Sequence, residues 1–360
     1  MSLFFGSLGL AAVLTTSGGV SPALETCIAT EARKLEFSGV VSVVQPAGTI
    51  AHSSGVVAGQ GSSRIDGETR FNIASAGKMF TAVAVAQLVD SGKVRLEDPL
   101  GRHVTGLTPE ASQVTVRQLL DDSSGLGNFF TPGNLDALQR ARSLADLFPL
   151  VAGARPSFTP GSRYEYSNSG FLLLGLLIER VAGVSYGRYL DEHVFGPAGM
   201  VASGLEPRSG AKQAIGMSTL RGPLQPSPEA ALRGTPAGGA FSTAGDLQAF
   251  FAALLAGRLT SPVMLRELTS PQRVIVPAKG DAPQISQGLG FGLGTFQGHR
   301  WLGHNGGTPG VNVEAMAFPD DRTAVVILSN RDPPAATALL RQVRPALFDP
   351  DQAKLCASPH

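Results

Sequence analysis

The sequence predicts a mixed α/β fold of the α+β kind, in which an antiparallel sheet is flanked by terminal helices and interrupted by an inserted all-helical domain. Runs typical of strands occur near both ends of the chain, and helical patterns fill the middle. The 360 residues also exceed what one compact core usually holds. We therefore expect a discontinuous α/β domain over residues 24–91 and 236–350, a helical insertion over 92–235 and a C-terminal tail over 351–360.

The N-terminal segment predicts a helix, a hairpin and a second helix. The first helix is expected over residues 24–36, and two β-rich runs follow, FSGVVSVVQPAG and TIAHSSGVVAGQ, separated by Pro46-Ala47-Gly48. TRFNIAS then leads into a helix expected from Ser75 to Asp90.

The rest of the chain supplies the insertion and the second half of the sheet. FLLLGLLIERVAG, residues 171–183, predicts a strongly apolar helix, and the Gly-, Pro- and Ser-rich residues 201–235 predict loop. Beyond Pro236 we expect a capped helix in FSTAGDLQAFFAALLAG and a closing helix in PAATALLRQVRPALF. Between them lie four strand-like runs: GLGFGLGTF, HRWLGHNGG, VNVEAMAFP and TAVVILSN.

The composition and charge of the chain argue against some classes of binding partner. Hydrophobic residues make up 43% of the chain and charged residues 16%, while the net charge is +1. There is no long run of Lys or Arg, so we expect neither nucleic acid nor an anionic membrane surface as a partner.

The first residues, 1–23, predict a signal peptide. Their apolar run is too short to span a bilayer, and it ends near Ser21-Pro22-Ala23, a small-x-small pattern typical of cleavage sites. No Lys or Arg precedes the run, which makes the leader atypical. We expect a secreted or periplasmic protein with no transmembrane segment.

The two cysteines, Cys27 and Cys356, lie near opposite ends of the chain and allow two interpretations. They are either unrelated thiols or a disulfide that ties the N-terminal segment to the C-terminal helix after export.

Three short motifs carry candidate chemistry. In FNIASAGKMF, Ser75 and Lys78 are three residues apart, a spacing that puts both on one helical face, and a buried lysine can become a base for a serine hydroxyl. In YEYSNSG, Tyr166 can relay a proton, and the amide of Asn168 can bond both Lys78 and a substrate. In WLGHNGGTPG, a histidine and paired glycines follow a strand. We expect this segment to bind substrate through His304, Asn305, Gly306 and Gly307.

In this order and spacing, S-x-x-K, Y-x-N and H-x-G resemble the serine β-lactamase and penicillin-binding superfamily. The nearest branch is that of class C β-lactamases, D-alanyl-D-alanine carboxypeptidases and esterases. The resemblance extends from about Phe37 onward through VTVRQLL, YSNSGFLLLGLLIERVAG and GGAFSTAGDL. It implies the β-lactamase-like fold, no cofactor or metal, and an ester, D-amino-acid peptide or β-lactam as substrate. Ser75 would be the acylated nucleophile, Lys78 its base and Tyr166 the acid/base partner. The oxyanion hole would be formed by the N–H groups of Ser75 and Gly307.

Two positions depart from the pattern of that superfamily. His304 stands where many lactamases carry a lysine, and a histidine is largely neutral at pH 7, which favours carboxylesterase or carboxypeptidase-like chemistry over efficient β-lactam hydrolysis. Asp122-Ser123-Ser124-Gly125 replaces a His-Thr-Ser-Gly run. We interpret that turn as structural and expect no effect on the chemistry.

Other functions compete with this one. A penicillin sensor acylated at Ser75 without turnover would have the same motifs, as would an inactive scaffold, although a scaffold needs no intact Lys78, Tyr166 and Asn168. The string Gly183-Val184-Ser185-Tyr186-Gly187 matches the nucleophile elbow of α/β-hydrolases, but it follows a helix and opens another, so Ser185 is expected to be a helix cap.

Overall fold

The structure, a computed structural model, describes residues 21–58, 63–208, 210–279 and 284–358. Residues 1–20, which form most of the predicted signal peptide, lie outside the described residues.

Most of the helices lie in the middle of the chain, and most of the strands lie towards its two ends. The helices are α1 Pro22–Lys34, α2 Lys78–Asp90, α3 Pro109–Ser112, α4 Val116–Leu120, α5 Leu135–Arg140, α6 Leu144–Leu147, α7 Pro149–Ala152, α8 Asn168–Ala182, α9 Tyr186–Leu190, α10 Gly196–Ala198, α11 Ala244–Leu255, α12 Pro262–Leu268, α13 Ala335–Val343 and α14 Pro350–Ala357. The strands are β1 Gly39–Gln45, β2 Gly48–Ser54, β3 Phe71–Asn72, β4 Met217–Ser218, β5 Gln225–Pro226, β6 Phe241–Ser242, β7 Arg273–Val276, β8 Ile285–Gln287, β9 Gly292–Phe296, β10 His299–Thr308, β11 Val311–Phe318 and β12 Thr323–Ser329.

The main sheet has the order β2-β1-β12-β11-β10-β9-β8-β7, and its neighbouring strands are antiparallel. The N-terminal hairpin therefore pairs with the last strand of the chain, as Val41 opposite Ile327 illustrates. This arrangement confirms the predicted α/β class with strands from both ends of the chain in one sheet.

Helices cover the central strands on both faces. Every residue of β11 is buried, which a strand needs only when both faces of its sheet are covered. On one side, α1 and α13 contact the sheet within a cluster that includes Leu24, Phe318 and Leu339. On the other side, a larger cluster joins the sheet to α2, α8 and α11 through residues such as Phe80 and Phe250.

The two chain ends are joined covalently. Cys27 in α1 and Cys356 in α14 form a disulfide, so of the two alternatives left open by the sequence the structure contains the bonded one. Most of the segment expected as a C-terminal tail is helical, because Asp349 caps α14 by accepting from the N–H groups of Asp351 and Gln352.

Several predicted boundaries were wrong by a few residues. The helix expected to begin at Ser75 begins at Lys78, because Ala74–Gly77 forms a separate 3₁₀ turn. The apolar helix expected from residue 171 begins at Asn168, since the hydroxyl of Ser167 caps it by accepting from the N–H of Gly170. Within 201–235, predicted as loop, β4 and β5 form a short hairpin.

Among the described residues, no single helix has the length and apolar character needed to cross a membrane. The bent pair Asn168–Ala182 and Tyr186–Ala198 meets those criteria only when the two are counted together.

Candidate active site

Ser75 lies on a tight turn between β3 and α2. The preceding residue, Ala74, has a left-handed backbone with φ 43°, and its N–H donates to Oδ1 of Asn72 at 2.8 Å. A left-handed non-glycine residue is costly and is found most often at functional sites. Gly238 packs beneath this turn, where a Cβ atom would lie only 2.3 Å from the carbonyl oxygen of Ala74. The fold therefore holds the serine on a strained, closely packed turn.

Lys78 begins α2 and is fully buried. Its Nζ donates to Oδ1 of Asn168 at 2.6 Å and to the carbonyl oxygen of Ala237 at 2.5 Å. The same atom lies 4.6 Å from the centre of the Tyr166 ring. These contacts fix the amine beside the ring of the phenol.

Burial sets the protonation of the amine. Removal from water lowers the pKa of Lys78 well below its ordinary value, because the ammonium ion loses its hydration, and the nearby carboxyl of Asp122 partly opposes this effect. A lysine with a lowered pKa has a populated neutral form near neutral pH, which is the form that can accept a proton.

Tyr166 is the hydrogen-bond partner of the serine. Its hydroxyl donates to Ser75 Oγ at 2.6 Å. Burial raises the pKa of Tyr166 above its ordinary value, so the phenol stays protonated near neutral pH. A phenol that keeps its proton can pass protons between serine and lysine, but it does not act as a base by itself. The arrangement therefore allows a relay in which the lysine is the final acceptor.

The third motif lies on β10, next to the serine turn. A Cβ atom at Gly306 would lie 2.5 Å from the carbonyl oxygen of Ile73 and 3.1 Å from the nitrogen of Ser75, so this strand approaches the serine backbone to backbone. Gly307 lines the same cleft as Ser75. The two residues predicted to form the oxyanion hole thus share one cavity.

His304 lies near the middle of this strand. Its Nδ1 is 2.5 Å from the carbonyl oxygen of Asn305, and it pairs across the sheet with Ala315. Burial and the nearby Lys78 lower the pKa of His304 to about 4, so the imidazole is neutral at pH 7. Gly307 and Thr308 of this strand line the cleft, whereas substrate contact through His304 and Asn305 stays a prediction.

The cleft has a volume of about 1040 Å³ including its open mouth. Ser75, Asn168 and Gly307 lie at its catalytic end. Its wall is mainly apolar, contributed by Phe130, Leu138, Ala141, Leu144, Leu147, Leu205, Leu232 and Ala237. Four ionisable residues, Arg142, Glu179, Glu229 and Arg233, also line it. A large uncharged group therefore fits beside the serine.

Three residues that the sequence analysis did not identify lie next to Lys78 or Asn168. Nδ2 of Asn168 donates to Oδ1 of Asn128, which fixes the orientation of its amide. The carbonyl of Ala237 accepts from Lys78, and backbone carbonyls leave no trace in a sequence pattern. Asp122 is buried beside the lysine, although the turn that contains it was interpreted as purely structural.

Ser185, the alternative nucleophile, is a helix cap. Its hydroxyl accepts from the N–H of Arg188 at 3.3 Å at the start of α9, and it lies on the cleft wall. Among the described residues, no group of three or more His, Cys, Asp or Glu side chains could hold a metal ion.

A serine, a buried lysine and a phenol in contact, set between a helical region and an antiparallel sheet, define a β-lactamase-related serine hydrolase. The chain belongs to the Beta-lactamase family, which matches residues 25–348. It is 26% identical to Penicillin-binding protein 4* of Bacillus subtilis over 348 residues, which cover 90% of this chain and 75% of the relative.

Solved structures share the fold. A penicillin binding protein from Bacillus halodurans superposes with a TM-score of 0.80 and 29% identity, covering 89% of this chain and 99% of that one. A D-stereospecific amidohydrolase from Streptomyces superposes with a TM-score of 0.75 and 25% identity, covering 91% and 98%.

Proposed function

We propose that this protein hydrolyses uncharged esters or amides through an acyl-enzyme on Ser75. The observation that carries the proposal is the contact of Ser75 Oγ with the hydroxyl of Tyr166 at 2.6 Å, beside the buried amine of Lys78. Serine hydroxyls attack acyl carbons only when a neighbouring group takes their proton, and these two side chains provide a route for it.

The reaction takes place in two acyl transfers. In the first, Ser75 Oγ bonds to the substrate carbonyl carbon, and its proton passes by way of the Tyr166 phenol to neutral Lys78. The tetrahedral oxyanion accepts hydrogen bonds from the N–H groups of Ser75 and Gly307. When the bond to the leaving group breaks, the proton returns through Tyr166 to the departing alcohol or amine. In the second, water attacks the ester carbon and gives a proton to the same relay. The relay returns that proton to Ser75 Oγ as the bond between this oxygen and the acyl carbon breaks and the acid leaves.

The side chain in the third motif favours a neutral substrate. A carboxypeptidase must hold the terminal carboxylate of its peptide, and a fixed cation is the usual means. His304 stands where many lactamases carry a lysine, and it is neutral at pH 7, because its pKa is about 4. The apolar wall built from residues such as Leu138, Leu144 and Leu147 suits an uncharged aliphatic or aromatic group instead. The D-stereospecific amidohydrolase of similar fold supports amides as well as esters.

A panel of substrates tests both parts of the proposal, which are catalysis by Ser75 and the preference for neutral substrates. p-Nitrophenyl butyrate and a D-amino-acid amide are compared with a D-Ala-D-Ala peptide and with nitrocefin. We expect sustained turnover of the first two, loss of that turnover in Ser75→Ala, and most of it retained in Ser185→Ala. Efficient hydrolysis of the D-Ala-D-Ala peptide with none of the ester would overturn the neutral-substrate proposal.

The same experiment separates an enzyme from a penicillin sensor. A sensor would release one equivalent of product from nitrocefin and then stop, because its acyl-enzyme does not react with water. Turnover of the p-nitrophenyl ester well beyond one equivalent is the result expected here.

We also propose export from the cytoplasm. The Cys27–Cys356 disulfide supports this, since such bonds form and persist in oxidising compartments. Fractionation of cells that produce the full chain, with N-terminal sequencing of the product, tests the proposal. We expect a secreted or periplasmic product that begins close to residue 24. Full-length protein confined to the cytoplasm would contradict it.

A further inference from the structure

Two buried hydroxyl groups near the lysine have no part in the reaction scheme above. Thr81 lies about one helical turn after Lys78 in α2, and Tyr186 is the first residue of α9. Thr81 has no exposed surface, and Tyr186 is 2% exposed. Burying a hydroxyl costs free energy unless the group forms hydrogen bonds, so the partners of these two groups indicate what they hold in place.

The two hydroxyls form a hydrogen-bonded chain that ends on a backbone carbonyl. The Tyr186 and Thr81 hydroxyl oxygens are 2.6 Å apart, and Thr81 Oγ1 is 2.7 Å from the carbonyl oxygen of Pro236. Because a carbonyl oxygen only accepts, Thr81 donates its one hydroxyl hydrogen to Pro236. The phenol of Tyr186 must then donate to Thr81. The chemistry of the groups therefore fixes the direction of both hydrogen bonds.

The carbonyl at the end of this chain is next to one that binds the catalytic amine. Ala237 follows Pro236, and its carbonyl oxygen accepts from Lys78 Nζ at 2.5 Å. Helix α2 therefore binds two consecutive carbonyl groups through side chains that are three residues apart. Both contacts hold the same short segment against the helix.

The position of the Ala237 carbonyl orients the lysine amine. Nζ of Lys78 also donates to Oδ1 of Asn168 at 2.6 Å. A neutral amine has two N–H bonds and one lone pair, so these two acceptors use both N–H bonds. The lone pair, which takes the proton in the proposed reaction, then points in the remaining tetrahedral direction. A shift of the Ala237 carbonyl would turn the lone pair away from that direction.

The Thr81 hydrogen bond is the shorter of the two that fix the peptide unit between Pro236 and Ala237. The N–H of this unit donates to Oγ1 of Thr235 at 3.3 Å, a longer contact than the 2.7 Å bond from Thr81. Pro236 has no N–H of its own, so it cannot form a further backbone bond as a donor. Its ring packs on α8, where a Cβ atom at Gly175 would lie 2.0 Å from Pro236 Cγ. The ring contact restricts translation of the segment, and the Thr81 bond fixes the direction of the carbonyl.

We infer that Thr81 and Tyr186 are positioning residues for Lys78, and that their hydroxyl chain holds the Pro236–Ala237 segment where the Ala237 carbonyl orients the amine. This inference rests on the proposed function, because it assigns the chain a role in support of that proton relay. Both residues act through the segment that binds Lys78, and neither transfers a proton to or from the substrate.

Thr81→Val tests the chain at its centre. Valine is close to threonine in volume but has no hydroxyl, so the Pro236 carbonyl loses its donor and the segment can shift. We expect kcat for a p-nitrophenyl ester to fall by about 10–100-fold, because small displacements of catalytic groups cost this much, while KM changes little. Thr81→Ser keeps the hydroxyl and should restore most of the parental kcat.

Tyr186→Phe tests the order of the chain. It removes the donor to Thr81 but leaves the bond from Thr81 to Pro236, so its kcat should fall less than that of Thr81→Val. Since Tyr186 acts only through Thr81, the double variant should have the kcat of Thr81→Val alone. Independent contributions would instead multiply. If Thr81→Val does not fold, a lower kcat at unchanged KM in Tyr186→Phe is the result expected, and a parental kcat there would overturn the inference.

Thr69→Val and Tyr189→Phe are the matched controls. Thr69 is as buried as Thr81, and its hydroxyl donates to Oδ1 of Asp66, in the loop before β3. Tyr189 is 5% exposed and lies in the same helix as Tyr186. We expect Thr69→Val to lower Tm, and we expect the parental kcat in both controls.

Parental kcat in a folded Thr81→Val, an equal loss in Thr69→Val, or no recovery in a folded Thr81→Ser would overturn the inference. These outcomes differ from a failure of the proposed function. If Ser75→Ala keeps its activity, the relay itself is wrong. If Ser75→Ala is inactive while Thr81→Val has the parental kcat, only the role of the hydroxyl chain is wrong.

Discussion

The hydroxyl of Tyr166 donates a hydrogen bond to Ser75 Oγ at 2.6 Å, while the Nζ of Lys78 lies 4.6 Å from the same tyrosine ring. The phenol therefore lies between the nucleophile and the only amine buried beside it in the part of the chain that the structure describes. Hydrogen bonds connect Lys78 to Asn168 and Ala237, and another connects Ser75 to the tyrosine. In the proposed relay, the tyrosine is therefore the group that contacts the serine directly.

Tyr166→Phe should lower kcat by about 10²–10⁴-fold, the usual contribution of a positioned proton-transfer group. The ring is retained, so its packing against Lys78 is kept and KM should change little. Steady-state kinetics with a p-nitrophenyl ester measure both constants. A large rise in KM with kcat unchanged would mean that the phenol binds substrate and does not move protons.

Lys78→Met and Lys78→Arg together distinguish a base from a fixed cation. Methionine removes the amine, whereas arginine keeps a positive charge that cannot lose its proton. Both variants should lose activity by about 10²–10⁴-fold. Thermal denaturation checks that each variant is folded. Activity close to the parental value in a folded Lys78→Arg would show that the site needs a cation and not a base.

The pH dependence of activity follows from the lowered pKa of Lys78. Because burial disfavours the ammonium form, the neutral amine is populated far below the ordinary lysine value of about 10.4. Protonation of the amine on acidification removes the base, so kcat/KM should fall towards acid pH and remain high at neutral pH. A profile that rises only in the alkaline range typical of an exposed lysine would contradict this account.

Gly238→Ala should damage the turn that carries Ser75. Gly238 has φ 138°, and its new Cβ would meet the carbonyl oxygen of Ala74 at 2.3 Å. We expect a loss of stability of about 1–3 kcal/mol, together with reduced kcat. The control is Gly257→Ala, which also has positive φ, at 70°, but whose Cβ would meet nothing closer than 4.0 Å. It should lower Tm and leave kcat unchanged.

The disulfide should contribute to stability and not to catalysis. The bond joins residues 329 positions apart, so it restricts the unfolded chain strongly. Replacing both Cys27 and Cys356 by serine should cost about 2–4 kcal/mol of the free energy of unfolding. Reductant should lower the Tm of the parent and have no effect on the double variant. Equal Tm values for the parent with and without reductant would contradict the expectation.

Much of the fold could be predicted because its signals are local. The Pro46-Ala47-Gly48 turn between two β-rich runs corresponds to the β1–β2 hairpin, in which Gln45 pairs with Gly48. The spacing of Ser75 and Lys78 indicated neighbouring side chains, although the two residues lie on a 3₁₀ turn and a helix and not on one continuous helix.

What could not be predicted depends on contacts between distant segments. The carbonyl of Ala237 that binds Lys78 is 159 residues away in the chain. The local pattern Asp122-Ser123-Ser124-Gly125 indicated a turn correctly, but nothing in it indicated that the carboxyl of Asp122 is fully buried. The contact of His304 Nδ1 with the carbonyl oxygen of Asn305 could not be predicted from the sequence either, and substrate contact through His304 stays a prediction.

The most direct test of the central claim is the mass of the protein during turnover. The protein is mixed with a p-nitrophenyl ester and quenched with acid, and its intact mass and proteolytic peptides are measured. We predict an adduct equal to the acyl group, located on the peptide that contains Ser75 and absent from Ser75→Ala. An acyl adduct on another residue such as Ser185, or undiminished turnover in Ser75→Ala, would contradict the account.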